Sequence, residues 1–440
     1  MDDPERLLEN AFRAAVAAAH PEGCVPPHLP PAPRGRLLVV GAGKAAAAMA
    51  RVVERHYRDL PDERFEGVVV TRYGHAVPTE RITVLEAGHP VPDESGVRAT
   101  ERIVALARSA EAGDLVLVLV SGGGSALLTA PDGVTASEKA VLTQELLASG
   151  ADIHAINLVR RHLSSVKGGA LAVAAHPAAV LTLAISDVVG DAPAVIASGP
   201  TVASGGTFQD ALDVLDHFGI EAPAARRALT AGRDGKRPRP PTPDDPRLDG
   251  ARYLLVAEAQ TSLEAAAEAL REGGIPAFVL ASEVTGEARE VGGLHAAIAR
   301  QVARFGQPFA PPCAFLSGGE TTVTVRGNGR GGRNAEFALG VVGGLIGPAA
   351  GRMPEGMRFW VLAADTDGID GSEDNAGALL GPRQIASLEA DAVRHALADN
   401  DAYGLLEEVG GLLVTGPTRT NVNDLRIVLV APAVALPGRR

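Results

Sequence analysis

Residues 37–50 read LLVVGAGKAAAAMA, a short apolar run that enters a glycine turn and continues into an alanine-rich segment. The apolar run predicts a buried β-strand, the alanines predict a helix, and the glycines predict a tight turn between the two. A strand, a glycine turn and a helix in this order are typical of the first unit of a doubly wound sheet. We therefore predict a Rossmann-like α/β fold that begins at this strand.

The same alternation of short β-branched runs and longer helical patterns continues along the chain. It predicts a parallel sheet with helices on both faces. Strands are predicted near residues 36–40, 67–71, 82–86, 115–120 and 180–185. Helices are predicted near residues 5–20, 44–58, 94–111, 137–149, 152–165 and 208–230.

Residues 232–250 contain five prolines and no apolar periodicity, which indicates an exposed linker or long surface loop. We therefore predict an N-terminal α/β domain over residues 1–240 and a C-terminal α/β domain over residues 250–440. In the second domain, the run TTVTV at 321–325 closely follows the strand-like CAFLS. Antiparallel pairing of these two runs would make the second sheet mixed.

Composition limits the classes of function. The 440 residues are 46% hydrophobic and 21% charged, as in soluble globular proteins, and their net charge of −12 disfavours a general role on nucleic acids or anionic membranes. The two cysteines, Cys24 and Cys313, are far apart, so neither a disulfide framework nor a zinc site is indicated. The N-terminus has no signal-peptide pattern, and no apolar run reaches the roughly 20 residues of a membrane span. These features favour the cytoplasm, and they leave open whether the chain forms a homo-oligomer.

The turn after the first strand is compatible with two different ligands. Gly41-x-Gly43-x-x-Ala46 satisfies the dinucleotide fingerprint in its alanine form. A dinucleotide site also needs an acidic residue at the end of the second strand, but Thr71 and Arg72 stand there. Lys44 adds a cation where backbone amides already attract anions, which favours phosphoryl transfer over hydride transfer. The turn is not a P-loop, since no Ser or Thr follows Lys44.

Three further glycine turns follow predicted strands or precede a predicted helix. They are SGGGS at 121–125, SGGE at 317–320 and RGNGRGGRN at 326–334. Glycines allow close approach of a ligand to the backbone, and Arg333 can donate two parallel hydrogen bonds to a phosphoryl group. The predicted nucleotide-binding residues are Gly41, Gly43, Ser121, Gly122, Gly123, Gly124, Ser125, Ser317, Gly318, Gly319, Glu320, Gly331, Gly332 and Asn334.

Two acidic loops also follow predicted strands. Asp187 comes directly after the strand at 180–185, and Asp367 lies in the acidic loop 365–374. Carboxylates at strand ends can hold Mg²⁺ on a nucleotide or accept a proton from a substrate hydroxyl. The sequence is compatible with either role for each of the two aspartates. Arg160, Arg161 and Lys167 form a further basic group, which fits either an anionic substrate or an ordinary solvated surface.

The motifs together resemble those of the class II glycerate kinases, whose C-terminal half is the MOFRL domain. The resemblance runs from the first strand to near residue 380. Ala335 and Asp365 depart from the family pattern, which has Gln and Gly at these positions. The matching pieces are VVGAGKAAAAMA, AGHPVPD, SGGGSALL, ADIHAINLVRRHLSSVKGG, ISDVVGDAPAVIASGPT, LSGGETTVTVRGNGRGGRNAEFALG and DTDGIDGSEDNAGA.

This resemblance implies ATP-dependent phosphorylation of D-glycerate at its 2-hydroxyl, with Mg²⁺, to give 2-phosphoglycerate and ADP. It also implies two α/β domains with the active site in the cleft between them, and it places Lys44 and Arg333 next to the transferred phosphoryl group. We assign Asp187 as general base or Mg²⁺ ligand and Asp367 as the second candidate for these roles.

Two other functions stay open at this point. Family members often carry the name hydroxypyruvate reductase, and the fingerprint at Gly41 fits an NAD(P)H-dependent enzyme of that kind. A sugar-acid-binding module without catalysis is the third hypothesis. It would bind substrate without turnover.

Overall fold

The computed structural model of the chain describes residues 3–203, 205–351 and 354–433. These residues form two compact units. Pro21–Val256 is the N-terminal unit, and the described residues of Met1–His20 and Ala257–Arg440 are the C-terminal unit. Each unit has its own six-stranded sheet and its own hydrophobic core.

Helices precede, separate and cover the strands, as the alternating pattern predicts. The described helices are α1 (Pro4–Ala19), α2 (Pro21–Cys24), α3 (Ala46–His56), α4 (Glu94–Arg108), α5 (Gly124–Leu127), α6 (Ala136–Ala148), α7 (Ile153–His162), α8 (Ala170–Ala175), α9 (Phe208–His217), α10 (Pro223–Arg233), α11 (Ala259–Glu272), α12 (Ala288–Phe305), α13 (Arg333–Ile346), α14 (Pro382–Ser387), α15 (Ala390–Asp399) and α16 (Ala402–Glu408). Among the described residues, none of these helices has the length and apolar content needed to cross a membrane.

The strands are short, as expected for covered sheets. The described strands are β1 (Leu37–Ala42), β2 (Phe65–Arg72), β3 (Ile82–Ala87), β4 (Leu115–Val120), β5 (Ala179–Ile185), β6 (Ala251–Ala257), β7 (Ala277–Ala281), β8 (Gly286–Glu287), β9 (Cys313–Ser317), β10 (Thr321–Thr322), β11 (Met357–Asp365), β12 (Gly377–Leu380), β13 (Leu412–Leu413) and β14 (Asp424–Pro432).

The sheet of the N-terminal unit has the strand order β3-β2-β1-β4-β5-β6, and β1 to β5 pair in parallel. Every residue of β1 and all but one residue of β4 are buried, as expected for parallel strands with helices on both faces. The chain runs from β1 to β2 and β3 on one side and returns to β4 on the other. This reversal creates the crevice in which open α/β sheets bind ligands. The predicted Rossmann-like architecture is confirmed.

The sheet of the C-terminal unit has the order β13-β12-β11-β14-β9-β7. It is mixed, since β7 and β9 pair in parallel and the other neighbours pair antiparallel. The mixed character is as predicted, but its predicted origin is wrong. Only Thr321–Thr322 of TTVTV forms a strand, and it pairs in parallel with β8 in a separate two-stranded sheet. Both edges of β9 are already occupied by β14 and β7, so the segment that follows cannot pair with β9.

The division into units differs from the predicted boundary at residues 240–250 in two places. β6 lies beside β5 in the first sheet, although it follows the proline-rich segment. Helix α1 belongs to the C-terminal unit, where Leu8 and Phe12 pack in one core with Leu263 and Leu429. Both differences arise from contacts between residues far apart in sequence.

The helical pattern at 208–230 also divides. It forms α9 and α10, because Gly219 adopts a left-handed conformation with φ of 65° and Pro223 starts the next helix.

Candidate active site

The glycine turn after β1 is held by its neighbours on both sides. The N–H of Gly43 donates to the carbonyl of Val70 at 3.1 Å, and the N–H of Lys44 donates to the carbonyl of Gly122 at 2.8 Å. Gly43 has φ of 140°, and a Cβ at this residue would lie 2.1 Å from Oγ of Ser121. Gly41 is equally restricted, since its Cβ would lie 2.3 Å from the carbonyl oxygen of Leu119. The turn therefore requires glycine at both fingerprint positions.

The turn after β4 interlocks with the turn after β1. The hydroxyl of Ser121 is fully buried and accepts the N–H of Ala45 at 3.0 Å. Gly123 has φ of 76° and packs against the ring of His89, where a Cβ would lie 2.8 Å from the imidazole. Gly124 is tight against Ala197, whose Cβ would lie 2.8 Å from an added Cβ. The two predicted glycine turns of this unit thus form one structure.

Asp187 lies at the same edge of the sheet as these turns. It follows β5 by two residues and is half-buried. Because β1, β4 and β5 are parallel neighbours, Lys44, Ser121 and Asp187 all emerge beyond the carboxyl ends of adjacent strands. The structure therefore brings together the predicted site residues of the N-terminal unit.

A pair of serine hydroxyls extends this edge. Oγ of Ser125 lies 2.7 Å from Oγ of Ser198, and Nη2 of Arg160 donates to Oγ of Ser125 at 2.8 Å. Lys167 is 3% exposed and donates to the carbonyl of Ser125 at 2.7 Å. Ser125 and the basic residues Arg160 and Lys167 were recognised in the sequence. Ser198 was not assigned a role there, and neither was Lys139, on which the charge of Arg160 acts. Lys139 lies in α6 among both polar and apolar residues, and no local pattern distinguishes it from a solvated lysine.

Arg333 of the C-terminal unit is surrounded by carboxylates. Its Nε donates to Asp424 at 2.8 Å, its Nη2 to Asp365 at 2.8 Å, and its Nη1 to Glu320 at 3.1 Å. Burial opposes the charge of Arg333, but the three carboxylates outweigh it and raise the pKa of the guanidinium above its usual value. Asp365, one of the two residues that depart from the family pattern, is thus a direct partner of Arg333.

A second buried arginine stands behind this group. Arg426 is fully buried, donates to the carboxylate of Asp424, and donates through Nη1 to the carbonyl of Gly318 at 3.1 Å. Sequence reasoning did not assign a role to Asp424 or Arg426. A charged residue at the start of the apolar run RIVLV is the signal that could have indicated one.

The predicted residues at the start of α13 bind an internal carboxylate. The N–H groups of Asn334 and Ala335 donate to Asp370 at 3.0 and 2.9 Å, and Gly332 leaves room for it, since a Cβ there would lie 2.3 Å from Oδ1 of Asp370. Gly331, with φ of 144°, precedes this turn. Burial raises the pKa of Asp370 to about 6, although the two N–H donors lower it. A carboxylate of this chain therefore occupies the helix start that the sequence suggested for a phosphate.

The turn after β9 divides between the interior and the surface. The hydroxyl of Ser317 is fully buried and lies 2.9 Å from Nε2 of His295. Gly319 has φ of 103° and its carbonyl accepts the N–H of Asp424 at 3.2 Å. Glu320 is exposed and reaches Arg333. Residues 317–319 of this predicted turn are buried, and the side chain of Glu320 is at the surface.

Asp367 is buried in the loop after β11. Its Oδ1 accepts the N–H of Ile369 at 2.9 Å, and its own N–H donates to Asp365 at 2.9 Å. Throughout the described parts of the chain, no group of three or more His, Cys, Asp or Glu side chains is placed to hold a metal ion.

Two family profiles match the chain. Residues 7–230 match a domain of unknown function, DUF4147, and residues 313–424 match the MOFRL family.

Similar proteins carry two kinds of name. A protein of Agrobacterium vitis named putative hydroxypyruvate reductase is 47% identical over 431 residues, which is 97% of this chain and 94% of that protein. The D-glycerate 2-kinase of Thermotoga maritima is 40% identical over 440 residues, which is 98% of this chain and 100% of that protein. A crystal structure of glycerate kinase from Thermotoga maritima matches with a TM-score of 0.84 and 38% identity, covering 97% of this chain and 99% of the other.

Proposed function

The chain belongs to the family of glycerate kinases that contain a MOFRL domain, and from that premise we propose that it transfers the terminal phosphoryl group of ATP to the 2-hydroxyl of D-glycerate. The products are 2-phosphoglycerate and ADP. The hydroxyl oxygen forms the new bond to phosphorus, the bond between phosphorus and the ADP oxygen breaks, and the hydroxyl proton passes to a base. Such transfer needs positioning and charge neutralisation more than covalent catalysis.

The observation that supports this reaction over hydride transfer is the environment of Lys44. A dinucleotide site would place a carboxylate at the end of β2 to hold the ribose hydroxyls. Here Thr71 is fully buried, and its hydroxyl donates to the carbonyl of Lys44 at 3.4 Å. The end of β2 thus fixes the lysine-bearing turn. The ammonium of Lys44, on a backbone held by Gly122 and Thr71, stabilises the transferring phosphoryl group.

Arg333 is the second cation assigned to the phosphoryl group. Two of its partners, Asp365 and Asp424, are buried, whereas the side chain of Glu320 is 48% exposed. A phosphoryl oxygen therefore replaces Glu320 at Nη1, while Asp365 and Asp424 keep the guanidinium in its orientation. The exposed carboxylate of Glu320 returns to solvent in this exchange.

Asp187 is the proposed base for the 2-hydroxyl proton. It follows β5 at the sheet edge from which Lys44 emerges, and its half-buried position leaves it accessible to substrate. The alternative role for Asp187 is that of the residue that would hold Mg²⁺, with Asp367 as the second candidate, because the ion in kinases usually binds through one or two carboxylates together with the substrate phosphates. When bound, it neutralises charge on the phosphates. Asp367 is buried in its loop, whereas Asp187 is half-buried, which makes Asp187 the more accessible ligand.

The direct test is product identification. The enzyme is incubated with D-glycerate and Mg-ATP, and phosphorus NMR distinguishes 2-phosphoglycerate from the 3-phosphate. We expect 2-phosphoglycerate, with one ADP released for each phosphoester formed, and no reaction in the control without glycerate.

Hydroxypyruvate reductase is the second candidate, because the relative from Agrobacterium vitis carries that name. Oxidation of NADH or NADPH with hydroxypyruvate is followed by absorbance in a parallel assay. Nicotinamide oxidation without any ADP release from D-glycerate would overturn the proposed kinase function.

A further inference from the structure

A cavity of about 380 Å³ lies in the N-terminal unit beside the SGGGS turn. Its lining includes the apolar residues Val91, Ala126, Leu128 and Leu147. It also includes the basic residues Lys139, Arg160 and Lys167. A cavity lined by both kinds of residue suits an organic ligand that has an anionic group.

Two of the three basic side chains bind the same serine, and the third binds a backbone carbonyl. Nζ of Lys167 lies 2.7 Å from the carbonyl oxygen and 3.1 Å from Oγ of Ser125. Nη2 of Arg160 donates to the same hydroxyl at 2.8 Å. Lys139 donates to the carbonyl of Leu163 at 2.7 Å. None of these acceptors carries a formal charge.

Little negative charge offsets these basic side chains. Among the described residues that line the cavity there is no Asp or Glu. Asp132, the acid that acts on Lys139, is bonded to Arg237 at 2.6 Å. Burial and repulsion by Arg160 lower the pKa of Lys139 to about 7, and burial followed by Arg160 and Lys139 lowers the pKa of Lys167 well below its usual value. Lys167 is buried, and Lys139 and Arg160 are half-buried. Basic groups at this depth without a carboxylate in the cavity lining are costly, and such groups cluster at functional sites.

The backbone beside the cations is strained. Ala197, Ser198 and Gly199 have φ of 50°, 62° and 59°, so three consecutive residues occupy the left-handed region. This conformation directs the buried hydroxyl of Ser198 to Ser125. Nζ of Lys167 lies 3.4 Å from Oγ of Ser198. Strain of this kind in residues other than glycine persists where the surrounding structure enforces it, frequently at ligand sites.

We propose that this cavity binds the phosphate chain of the nucleotide, with Lys139, Arg160 and Lys167 as its cationic ligands and the apolar lining residues against the nucleoside. Three basic side chains around one cavity match a polyphosphate better than the single carboxylate of glycerate, and glycerate has no apolar part to cover the apolar lining residues. That the ligand is a nucleotide rests on the proposed kinase function. That the cavity binds an anion does not rest on the proposed function.

The experiment measures binding by calorimetry on the full chain, with a non-hydrolysable ATP analogue, and KM for D-glycerate separately. Lys139→Met and Arg160→Gln should each weaken binding of the analogue by at least ~tenfold, as expected for loss of one partner of a buried charged contact. KM for D-glycerate should change much less. Lys236→Met, which replaces an exposed lysine in the segment after α10, is the matched control and should leave both quantities unchanged.

Proton uptake gives a readout that a structural role would not produce. Arg160, Lys167 and Asp132 are the charged groups that surround Lys139. A bound phosphate restores the charge of Lys139, so the wild type should take up protons at pH 8, seen as heats that differ between two buffers. Lys139→Met should take up fewer protons, and the Tm of the unliganded protein should not decrease.

The outcomes separate this inference from the proposed function. Unchanged analogue affinity in both variants overturns the inference even if D-glycerate is phosphorylated. A selective rise in KM for glycerate also overturns it, because the cavity would then hold the substrate carboxylate, and so does an equal loss of both ligands. Weaker analogue binding in an enzyme that does not phosphorylate glycerate would support the cavity assignment and contradict the kinase proposal.

Discussion

At the scale of single residues, the backbone of Lys44 and its ammonium group have different roles. Its backbone N–H and carbonyl are held by Gly122 and Thr71, so the turn has anchors that the lysine side chain does not supply. Lys44→Ala therefore removes the ammonium and leaves the turn in place. We expect kcat to fall by about 10²- to 10³-fold, as for the loss of one group that stabilises transition-state charge, with a smaller change in KM. Steady-state kinetics with D-glycerate and Mg-ATP measures both constants.

Lys236→Ala is the control for this variant, since Lys236 is an exposed lysine outside the glycine turns. Its kinetics should equal those of the wild type. An unchanged kcat for Lys44→Ala, with the same thermal stability as the wild type, would remove Lys44 from the proposed mechanism.

Residues of the site differ in how far the sequence could predict them. Gly43 and Lys44 lie in a local pattern whose meaning depends on nearby residues, and the turn formed as predicted. Lys139 and Asp424 become part of polar groups only when distant segments pack together, and their neighbours in sequence do not indicate this. The internal use of the α13 helix start by Asp370 has the same origin, since 36 residues separate Asp370 from Asn334.

At the scale of elements, His295 joins α12 to β9 and α13. Its Nε2 lies 2.9 Å from Oγ of Ser317, its Nδ1 lies 2.8 Å from the carbonyl of Val291, and its ring packs edge-on against Phe337. Burial lowers the pKa of His295 to about 4, so the native state keeps the imidazole neutral. Between this pKa and the ordinary value near 6.5, the unfolded state binds more protons than the folded state. Stability therefore decreases as the pH falls through this range.

His295→Gln removes this titration. From pH 7.5 to pH 5, the wild type should lose about 2 kcal/mol more unfolding free energy than the variant, whatever the variant loses at both pH values. Denaturant unfolding monitored in the C-terminal unit measures the difference. His395→Gln, at an exposed histidine of α15, should follow the wild type. If the unfolding free energies of the wild type and of His295→Gln had the same pH dependence, that result would contradict the lowered pKa of His295.

The elements themselves were predictable where their own residues decide them. The run LVLVLV was placed at residues 115–120 and forms β4 over those residues, because a continuous apolar run bounded by turns has few alternatives. TTVTV has the composition of a strand but forms only a two-residue one. The edges of β9 are occupied by strands from later and earlier in the chain. Propensity indicates a strand, whereas available partners decide whether it forms.

At the scale of the whole molecule, the units do not follow the order of the chain. The proline-rich segment 232–250 is a clear compositional break, yet β6 beyond it completes the first sheet. Helix α1 precedes every strand, yet its apolar face belongs to the core of the C-terminal unit. An amphipathic pattern shows that a helix has one face to bury, and it does not identify the surface that buries it. Composition therefore predicted that the chain has two domains, but not which helices and strands belong to each.

The packing of α1 in the core of the C-terminal unit has a measurable consequence. Leu8 is fully buried in α1 and packs in the core that contains Leu263 and Leu429 of the C-terminal unit. Leu8→Ala should lower the free energy of unfolding of that unit by about 2–5 kcal/mol, through lost burial and the cavity that remains. Hydrogen exchange followed by mass spectrometry should show lost protection in peptides from residues 257–433 and unchanged protection in residues 21–256. Arg13→Ala, on the exposed side of the same helix, should change neither. Lost protection confined to residues 21–256 would place α1 in the N-terminal unit instead.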